Sequence, residues 1–242
     1  MKEQRKLNKG GKMLLLFTLV ISSIFLLRPF TVKADVNVNI NKETQIVTDL
    51  IGQYSINYTG DANFFGFYGY YENNNYNEMV KDTDFKATVD TIGKDKIVNS
   101  SIASLKKTDG ATQIEAAYLV WETSVQGKNN TDLVKKAANK AVYFAGSTDK
   151  GAFTKKVNAS YAAVDMREPH LGTKEYTFSC MYVDVTSVVQ KYGYGKYGVA
   201  NIPYAASMKT SNTDKGTHAG ESSSAWQLIV IEKNSKANVR AV

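Results

Sequence analysis

Short segments in which apolar and polar residues alternate recur along most of the chain after residue 34. Val36, Val38 and Ile40 alternate with two asparagines, as in a β-strand that buries one face. Comparable patterns predict further strands at Ile46–Ile56, Phe64–Tyr71, Phe85–Ile92, Ile114–Trp121, Phe153–Ala163, Tyr176–Val183, Gly198–Ile202 and Ala225–Ile231. Ile114–Trp121 is apolar at both parities apart from one glutamate, which predicts a central strand covered on both faces.

Two segments favour helix instead. Leu133–Val142 is rich in lysine and alanine and follows Asp132, a suitable N-cap. From Val185 to Tyr192, apolar residues recur at the i, i+3, i+4 and i+7 positions that place them on one side of a helix. Many short strands, few helices and only two prolines after residue 34 predict an all-β fold. We expect a jelly-roll or immunoglobulin-like β-sandwich with one or two short helices, and with Trp121 and Trp226 in its core.

The first 34 residues have the organisation of a secretory signal peptide. Basic residues precede an apolar run from Met13 to Leu27, and Val32-Lys33-Ala34 loosely fits the small-x-small cleavage rule. The run is shorter than the roughly twenty residues that a helix needs to span a bilayer. We therefore expect cleavage after Ala34, one sandwich domain over residues 35–242, and a secreted or extracellular protein. An uncleaved membrane anchor is the less favoured alternative.

Most of the excess positive charge of the chain lies in this leader. It holds seven basic residues and one acidic residue, so 23 of the 30 basic and 22 of the 23 acidic residues remain after Ala34. A nearly neutral remainder gives no electrostatic basis for binding nucleic acid or anionic membranes. Cys180 is the one cysteine, so an intrachain disulfide is excluded and the core alone must stabilise the secreted domain.

An aromatic and asparagine-rich tract between Phe64 and Met79 is the best candidate for ligand recognition. Exposed tyrosines anchor interfaces and stack on sugar rings at low entropic cost, and asparagine amides beside them bond hydroxyl groups. The candidate ligand-binding residues are Tyr70, Tyr71, Asn74 and Tyr76. In the alternative interpretation the aromatic side chains fill the sandwich core, which is favoured for the three phenylalanines of the tract.

The sequence shows no convincing catalytic or metal-binding pattern. Ser222, His218 and Asp214 could nominally form a triad, but residues so close together in a loop rarely adopt that geometry. The two histidines and one cysteine lack zinc-ligand spacing, and the chain has no EF-hand-type loop. A glycoside hydrolase would need two facing carboxylates, and the candidates to inspect are Glu115, inside a predicted strand, and Asp184, directly after one. We therefore expect a non-enzymatic protein without a metal or cofactor.

Three regions resemble landmarks of a β-sandwich module found near the N-termini of large, adhesin-like, repeat-bearing cell-surface proteins of Gram-positive bacteria. Their A-x-L-x-W strand is similar to Ile114-Glu115-Ala116-Ala117-Tyr118-Leu119-Val120-Trp121. Their DVTS-x-V and G-x-Y-x-V-A-N runs are similar to Val183-Asp184-Val185-Thr186-Ser187-Val188-Val189 and to the following Gly195-Lys196-Tyr197-Gly198-Val199-Ala200-Asn201-Ile202. Their G-W-S-L-V-V-V-Y-E strand is similar to Ala225-Trp226-Gln227-Leu228-Ile229-Val230-Ile231-Glu232. Ser224 departs from the glycine that the family usually has before the last strand. Relatives also continue beyond the position of Val242, so the expected domain resembles one truncated at its C-terminal end.

The resemblance implies a cell-surface or cell-wall-associated adhesin with a role in virulence, whose partner is a host or environmental protein or glycan. Some adhesin domains of such bacteria attach covalently through a cysteine–glutamine thioester. Cys180 and Gln113 are the candidates for that bond here, although the glutamine precedes the cysteine, the reverse of the usual order.

Three classes of function remain open. An attachment module, a secreted carbohydrate-active enzyme and a stalk domain without a ligand are all compatible with an all-β secreted chain. Attachment and stalk domains differ in whether a concave or aromatic face is exposed. The attachment module is favoured, because it predicts an all-β fold, no catalytic constellation and a polar or aromatic loop face, and the sequence fits all three.

Overall fold

The computed structural model describes residues 38–40, 50–65, 74, 75, 77–126, 137–167, 176–203 and 223–241. The chain divides into two compact units, Met1–Asp35 and Val36–Val242, and the described residues all lie in the second.

Strands dominate the described residues, which confirms the predicted all-β class. The strands are β1 (Val38–Ile40), β2 (Ile51–Phe65), β3 (Asn74–Asn75), β4 (Ser100–Leu105), β5 (Ala111–Gln126), β6 (Val142–Thr148), β7 (Gly151–Val157), β8 (Tyr161–Arg167), β9 (Tyr176–Asp184), β10 (Gly195–Ala200), β11 (Ser223–Asn234) and β12 (Val239–Ala241). The helices are α1 (Glu78–Lys81), α2 (Lys86–Ile92) and α3 (Thr186–Tyr192), with 3-10 turns at Thr83–Phe85 and Lys94–Lys96. None of these described helices has the length and apolar content that a membrane crossing requires.

The strands form two sheets that pack face to face. The large sheet has the order β1-β8-β9-β5-β11-β2, with β12 and β3 also paired to β2, and the small sheet has the order β4-β10-β6-β7. Apart from β1, which runs parallel to β8, the strand pairs are antiparallel.

Eight of the strands show the nested pairing of a jelly-roll. Without β1, β3, β8 and β12, the first strand pairs with the last (β2–β11), the second with the seventh (β4–β10), the third with the sixth (β5–β9) and the fourth with the fifth (β6–β7). The chain therefore wraps as a long folded hairpin that places alternate pairs in opposite sheets. The jelly-roll is the first of the two sandwich types that the sequence predicts.

The main core lies between the two sheets. Trp121 and Leu228 of the large sheet and Phe144 and Tyr197 of the small sheet belong to one cluster and are fully buried. The rings of Phe144 and Tyr197 stack with their centroids 5.6 Å apart. Trp226 is only 3% exposed, so both tryptophans occupy the core as predicted.

A second cluster covers the outer face of the small sheet. Met79 of α1 and Ile92 of α2, with Phe85 between the two helices, pack against Ala145 and Ala200 of the sheet. The small sheet is therefore covered on both of its faces.

Helix α2 corrects one strand prediction. Phe85–Ile92 does not form a strand, because Phe85, Thr88 and Ile92 are buried at i, i+3 and i+7, the spacing of a helix. Lys86 pairs with Asp90 four residues later at 2.6 Å, which also suits a helix. The alternating pattern and the helical pattern overlap in so short a segment, and packing on the small sheet selects the helix.

Several element boundaries also differ from the predictions. Strand β2 joins the described parts of two predicted strands, whose residues 46–49 and 66–71 lie outside the described residues, and Phe153–Ala163 is divided between β7 and β8. The predicted helix Leu133–Val142 is wrong at its end, since Val142 begins β6, and its first four residues lie outside the described part. The helix after Val185 is confirmed as α3, at whose start the backbone N–H of Thr186 donates to Asp184 Oδ1 at 2.8 Å.

Tyr197 should make the fold sensitive to alkali. Burial raises the pKa of its hydroxyl, whereas a tyrosine in the unfolded chain ionises near pH 10. Above that pH the unfolded state has lost a proton that the folded state keeps, so the free energy of unfolding falls by about 1.4 kcal/mol per pH unit for this group. We expect urea unfolding between pH 8 and pH 11 to show a shallower fall for Tyr197→Phe than for the wild type. Equal slopes would contradict this assignment.

Candidate functional site

The outer surface of the large sheet carries a tyrosine-rich and aliphatic face. Successive side chains of a strand point to opposite sides of the sheet, and each of five neighbouring strands has at least one apolar or aromatic residue at an outward position, with Gly60, Gln227 and Glu122 among them. We call this surface the tyrosine face; its members are Ile56, Tyr58, Tyr118, Val120, Tyr161, Tyr182 and Ile229.

Strand register arranges these side chains in rows across the sheet. Ile229 of β11 lies directly between Tyr58 of β2 and Tyr118 of β5. In the next row Tyr182 of β9 lies opposite Tyr161 of β8. Because neighbouring strands are about 4.8 Å apart, the face is about 19 Å wide from β2 to β8. That breadth is a property of the sheet, since the four tyrosines come from segments that are distant in sequence.

The face has an ordered side and an open side. The rings of Tyr161 and Tyr182 are 5.4 Å apart, with an angle of 35° between their planes. Burial, with smaller contributions from Tyr161 and Tyr118, raises the pKa of Tyr182 above its ordinary value. At the other side Tyr58 is 68% exposed and Ile56 is 53% exposed. The arrangement can contact a partner without first rearranging the sheet.

This face is not evident from the sequence, because the polar side chains of β2 point inward. Asn57 Nδ2 donates to the backbone oxygen of Lys106 at 2.6 Å, and Thr59 Oγ1 donates to that of Ser104 at 3.0 Å. These bonds satisfy carbonyls at the edge of the small sheet. The alternation of Tyr54, Ile56 and Tyr58 is visible in the sequence, but it does not reveal which side of the strand faces the core.

Most of the ligand-binding residues predicted from the aromatic tract lie outside the described residues. These are Tyr70, Tyr71 and Tyr76. The backbone of Asn74 pairs with Phe65 at the end of β2, while its side chain is outside the described part. Their role stays a prediction.

Cys180 and Gln113 are too far apart for the thioester considered above. Cys180 lies opposite Glu122 on β5, and Gln113 is nine residues before Glu122 on that strand. At about 3.3 Å per residue, the two side chains are roughly 30 Å apart. The covalent pair is therefore ruled out by the register of β5 and β9.

Cys180 also does not fill the core, as a small buried residue would. It is exposed on the outer side of β9, and its neighbour Met181 is the one that points into the core. The protein around its sulfur, and secondarily the carboxylate of Glu122, raise the pKa of the thiol. The thiol is therefore protonated at neutral pH, which makes it a poor nucleophile.

The two strand carboxylates considered for glycosidase chemistry make structural contacts. Glu115 pairs with Lys233 at 3.2 Å, and Asp184 accepts the hydrogen bond at the start of α3. The nominal triad of Ser222, His218 and Asp214 lies outside the described residues. Within the described part, no three histidine, cysteine, aspartate or glutamate side chains come close enough to hold a metal ion.

No known family model, curated protein or solved structure matches this chain. Function is therefore inferred from the chemistry of the molecular surface itself.

Proposed function

We propose that this protein is a secreted or cell-surface attachment module that docks a protein partner on the tyrosine face and catalyses no reaction. The observation that carries the proposal is the row of Tyr58, Ile229 and Tyr118 on the outside of the large sheet, in which Tyr58 is exposed and the other two side chains are half-buried. Tyrosine supplies a large contact area with few rotatable bonds, so little conformational entropy is lost when a partner covers it. A stalk domain needs no such face.

The mixture of side chains favours a protein partner over a glycan. Aliphatic residues such as Ile56 and Val120 lie among the tyrosines, as in the apolar centre of a protein interface. Glu122 and Asp184 are exposed on the same side of the sheet, and neither forms an ion pair within the described part of the chain. The complementary surface is thus an apolar centre bordered by lysine or arginine.

The leader and the resemblance noted above support the location that we propose. Residues 1–34 have the organisation of a signal peptide, and the three landmark segments correspond to β5, to the α3–β10 region and to β11. We propose export followed by display at the cell wall or release. An adhesin-like role in a Gram-positive bacterium is part of the same proposal.

The double variant Tyr58→Ser/Ile56→Ser should reduce attachment without unfolding the domain. Both side chains are more than half exposed, so their removal changes little of the core. The assay measures the binding of beads coated with the purified protein to cultured epithelial cells. We expect at least a fivefold loss of bound beads for the variant, and the same loss when the cells are first treated with trypsin.

The matched control is Val98→Ser/Val239→Ser, which removes two exposed apolar side chains elsewhere, 46% and 69% exposed. This control should bind like the wild type. Binding that survives trypsin but is lost after periodate oxidation of cell glycans would contradict a protein partner. Equal binding by the two double variants would contradict the assignment of the attachment site to the tyrosine face. If the wild type and the control variant sediment as dimers and Tyr58→Ser/Ile56→Ser sediments as a monomer, the tyrosine face is a dimer interface instead.

A further inference from the structure

A second surface feature is a cleft at one end of the sandwich, separate from the tyrosine face. Its volume is about 560 Å³, within the range of small-ligand sites. Its polar and aromatic lining includes Lys107, Gln113, Asp149, Lys150, Gln190, Tyr192 and Tyr194.

Strand register explains why these distant residues meet. Gly195 of β10 lies between Leu105 at the end of β4 and Thr148 at the end of β6. The three connections that leave these strand ends therefore emerge side by side at the same end of the small sheet. They supply Lys107, the Asp149–Lys150 turn and the Tyr192–Tyr194 segment, and the beginning of β5 closes the opposite wall.

Two tyrosines give the cleft a rigid aromatic wall. The Tyr194 hydroxyl donates to Oε1 of the fully buried Glu232 at 2.7 Å. The ring of Tyr192 packs against Phe153 with the centroids 4.6 Å apart, and Lys191 Nζ lies 5.1 Å from the Tyr192 centroid. Both rings are held before any ligand arrives, which lowers the entropic cost of binding.

The remaining lining groups are suited to hydroxyls and to negative charge. Gln190 Nε2 donates to the backbone oxygen of Ile114 at 3.0 Å, which orients its amide at the cleft wall, and Gln113 is exposed beside it. Lys107 and Lys150 form no ion pair within the described part of the chain. Among the described lysines, ion pairs are made by Lys86, Lys196, Lys233 and Lys236, so Lys107 and Lys150 belong to the larger, unpaired group.

We propose that this cleft binds a sugar unit that carries an anionic group, a carboxylate or a phosphate. The tyrosine rings contact the sugar ring, the two glutamine amides and Asp149 bond its hydroxyls, and Lys107 and Lys150 bind the anion. With two lysines and one aspartate, the cleft carries a net positive charge on a domain that is otherwise nearly neutral. The inference does not depend on the proposed attachment through the tyrosine face.

The test is a titration of the purified, ¹⁵N-labelled protein with glucuronate, glucose 6-phosphate, glucose, acetate and inorganic phosphate, followed by backbone amide shifts. We expect glucuronate or glucose 6-phosphate to shift the amides of residues 107, 113, 149, 150, 193 and 194 in the millimolar range. Shifts caused by glucuronate would identify a carboxylate as the natural anion, and shifts caused by glucose 6-phosphate would identify a phosphate. Glucose should bind much more weakly than either, because it lacks the charge.

The variant Lys107→Gln/Lys150→Gln should weaken this binding about tenfold, since it removes the charged hydrogen bonds. The matched control Lys94→Gln/Lys155→Gln makes the same change of charge at exposed lysines outside the cleft and should bind normally. The proposal is overturned if neither anionic sugar shifts the cleft amides, or if the cleft variant binds like the control. It is also overturned if acetate or inorganic phosphate alone matches the sugars. Tyr58→Ser/Ile56→Ser should leave these shifts unchanged, which separates this test from that of attachment.

Discussion

Trp121→Ala is expected to lower the free energy of unfolding by about 3–5 kcal/mol, the usual range for deleting a buried aromatic side chain. Trp121 is fully buried in the central strand β5 and belongs to the cluster that joins the two sheets. Surrounding side chains come from both sheets and cannot collapse fully into the space without shifting strands. Because a domain is typically stable by only about 5–15 kcal/mol, the loss is a large part of the total. Urea unfolding followed by far-ultraviolet circular dichroism measures it.

The comparison of Trp121→Phe with Trp226→Phe provides a matched control. The indole N–H of Trp121 has no hydrogen-bond partner among the described residues, whereas that of Trp226 donates to Ser101 Oγ at 2.8 Å. The same substitution should therefore cost about 1–2 kcal/mol more at Trp226, where it breaks a buried hydrogen bond. Equal losses in the free energy of unfolding for the two Trp→Phe variants would contradict this account. An unchanged free energy of unfolding for Trp121→Ala would contradict the placement of Trp121 between the sheets.

Asn99→Ala is expected to lower the free energy of unfolding by about 2–4 kcal/mol, although it removes only a small polar side chain. Asn99 is fully buried; its Nδ2 donates to the backbone oxygen of Ile202 at 2.8 Å, and its Oδ1 accepts from the Ile202 N–H at 3.0 Å. The same Oδ1 accepts from Asn63 Nδ2 at 2.9 Å. The substitution leaves both backbone groups of Ile202 buried and unpaired, and that desolvation is the source of the loss.

Two further variants test this explanation. Asn158→Ala makes the same change at an exposed position and should stay within about 0.5 kcal/mol of the wild type. The losses in free energy of unfolding caused by Asn63→Ala and Asn99→Ala should not add up in the double variant, since the two side chains share a hydrogen bond. We expect a coupling energy of about 1 kcal/mol. Additive losses would show that the two asparagines act independently.

The alternating pattern predicted the elements whose inward side is apolar. Strands β5 and β11 fall in this class, because in each the core side carries large apolar residues such as Leu119 and Leu228. Helix α3 was also predicted, since Val185, Val188 and Val189 follow the helical period. In these elements the local sequence and the tertiary environment favour the same structure.

The prediction failed where the inward side is polar or the segment is short. In β2 the inward side carries Asn57, Thr59 and Asn63, whose hydrogen bonds to the other sheet replace apolar packing. In α2 a seven-residue segment fits either period, and contact with the small sheet decides between them. The tyrosine face was missed for the first of these reasons. The cleft was missed because its residues come from four separate parts of the chain.

The sequence by itself determined the all-β class, the central position of β5 in its sheet and the two buried tryptophans, because these follow from hydrophobic periodicity within single segments. The predicted cover on both faces of β5 was wrong, since Tyr118 and Val120 are half-buried and Glu122 is exposed on its outer side. Only the tertiary structure decided the jelly-roll order, the side of β2 that faces solvent and the separation of Cys180 from Gln113. Each of these depends on which distant strand pairs with which, and in what register. Pairing and register arise from the packing of whole sheets, so no single segment of the chain encodes them.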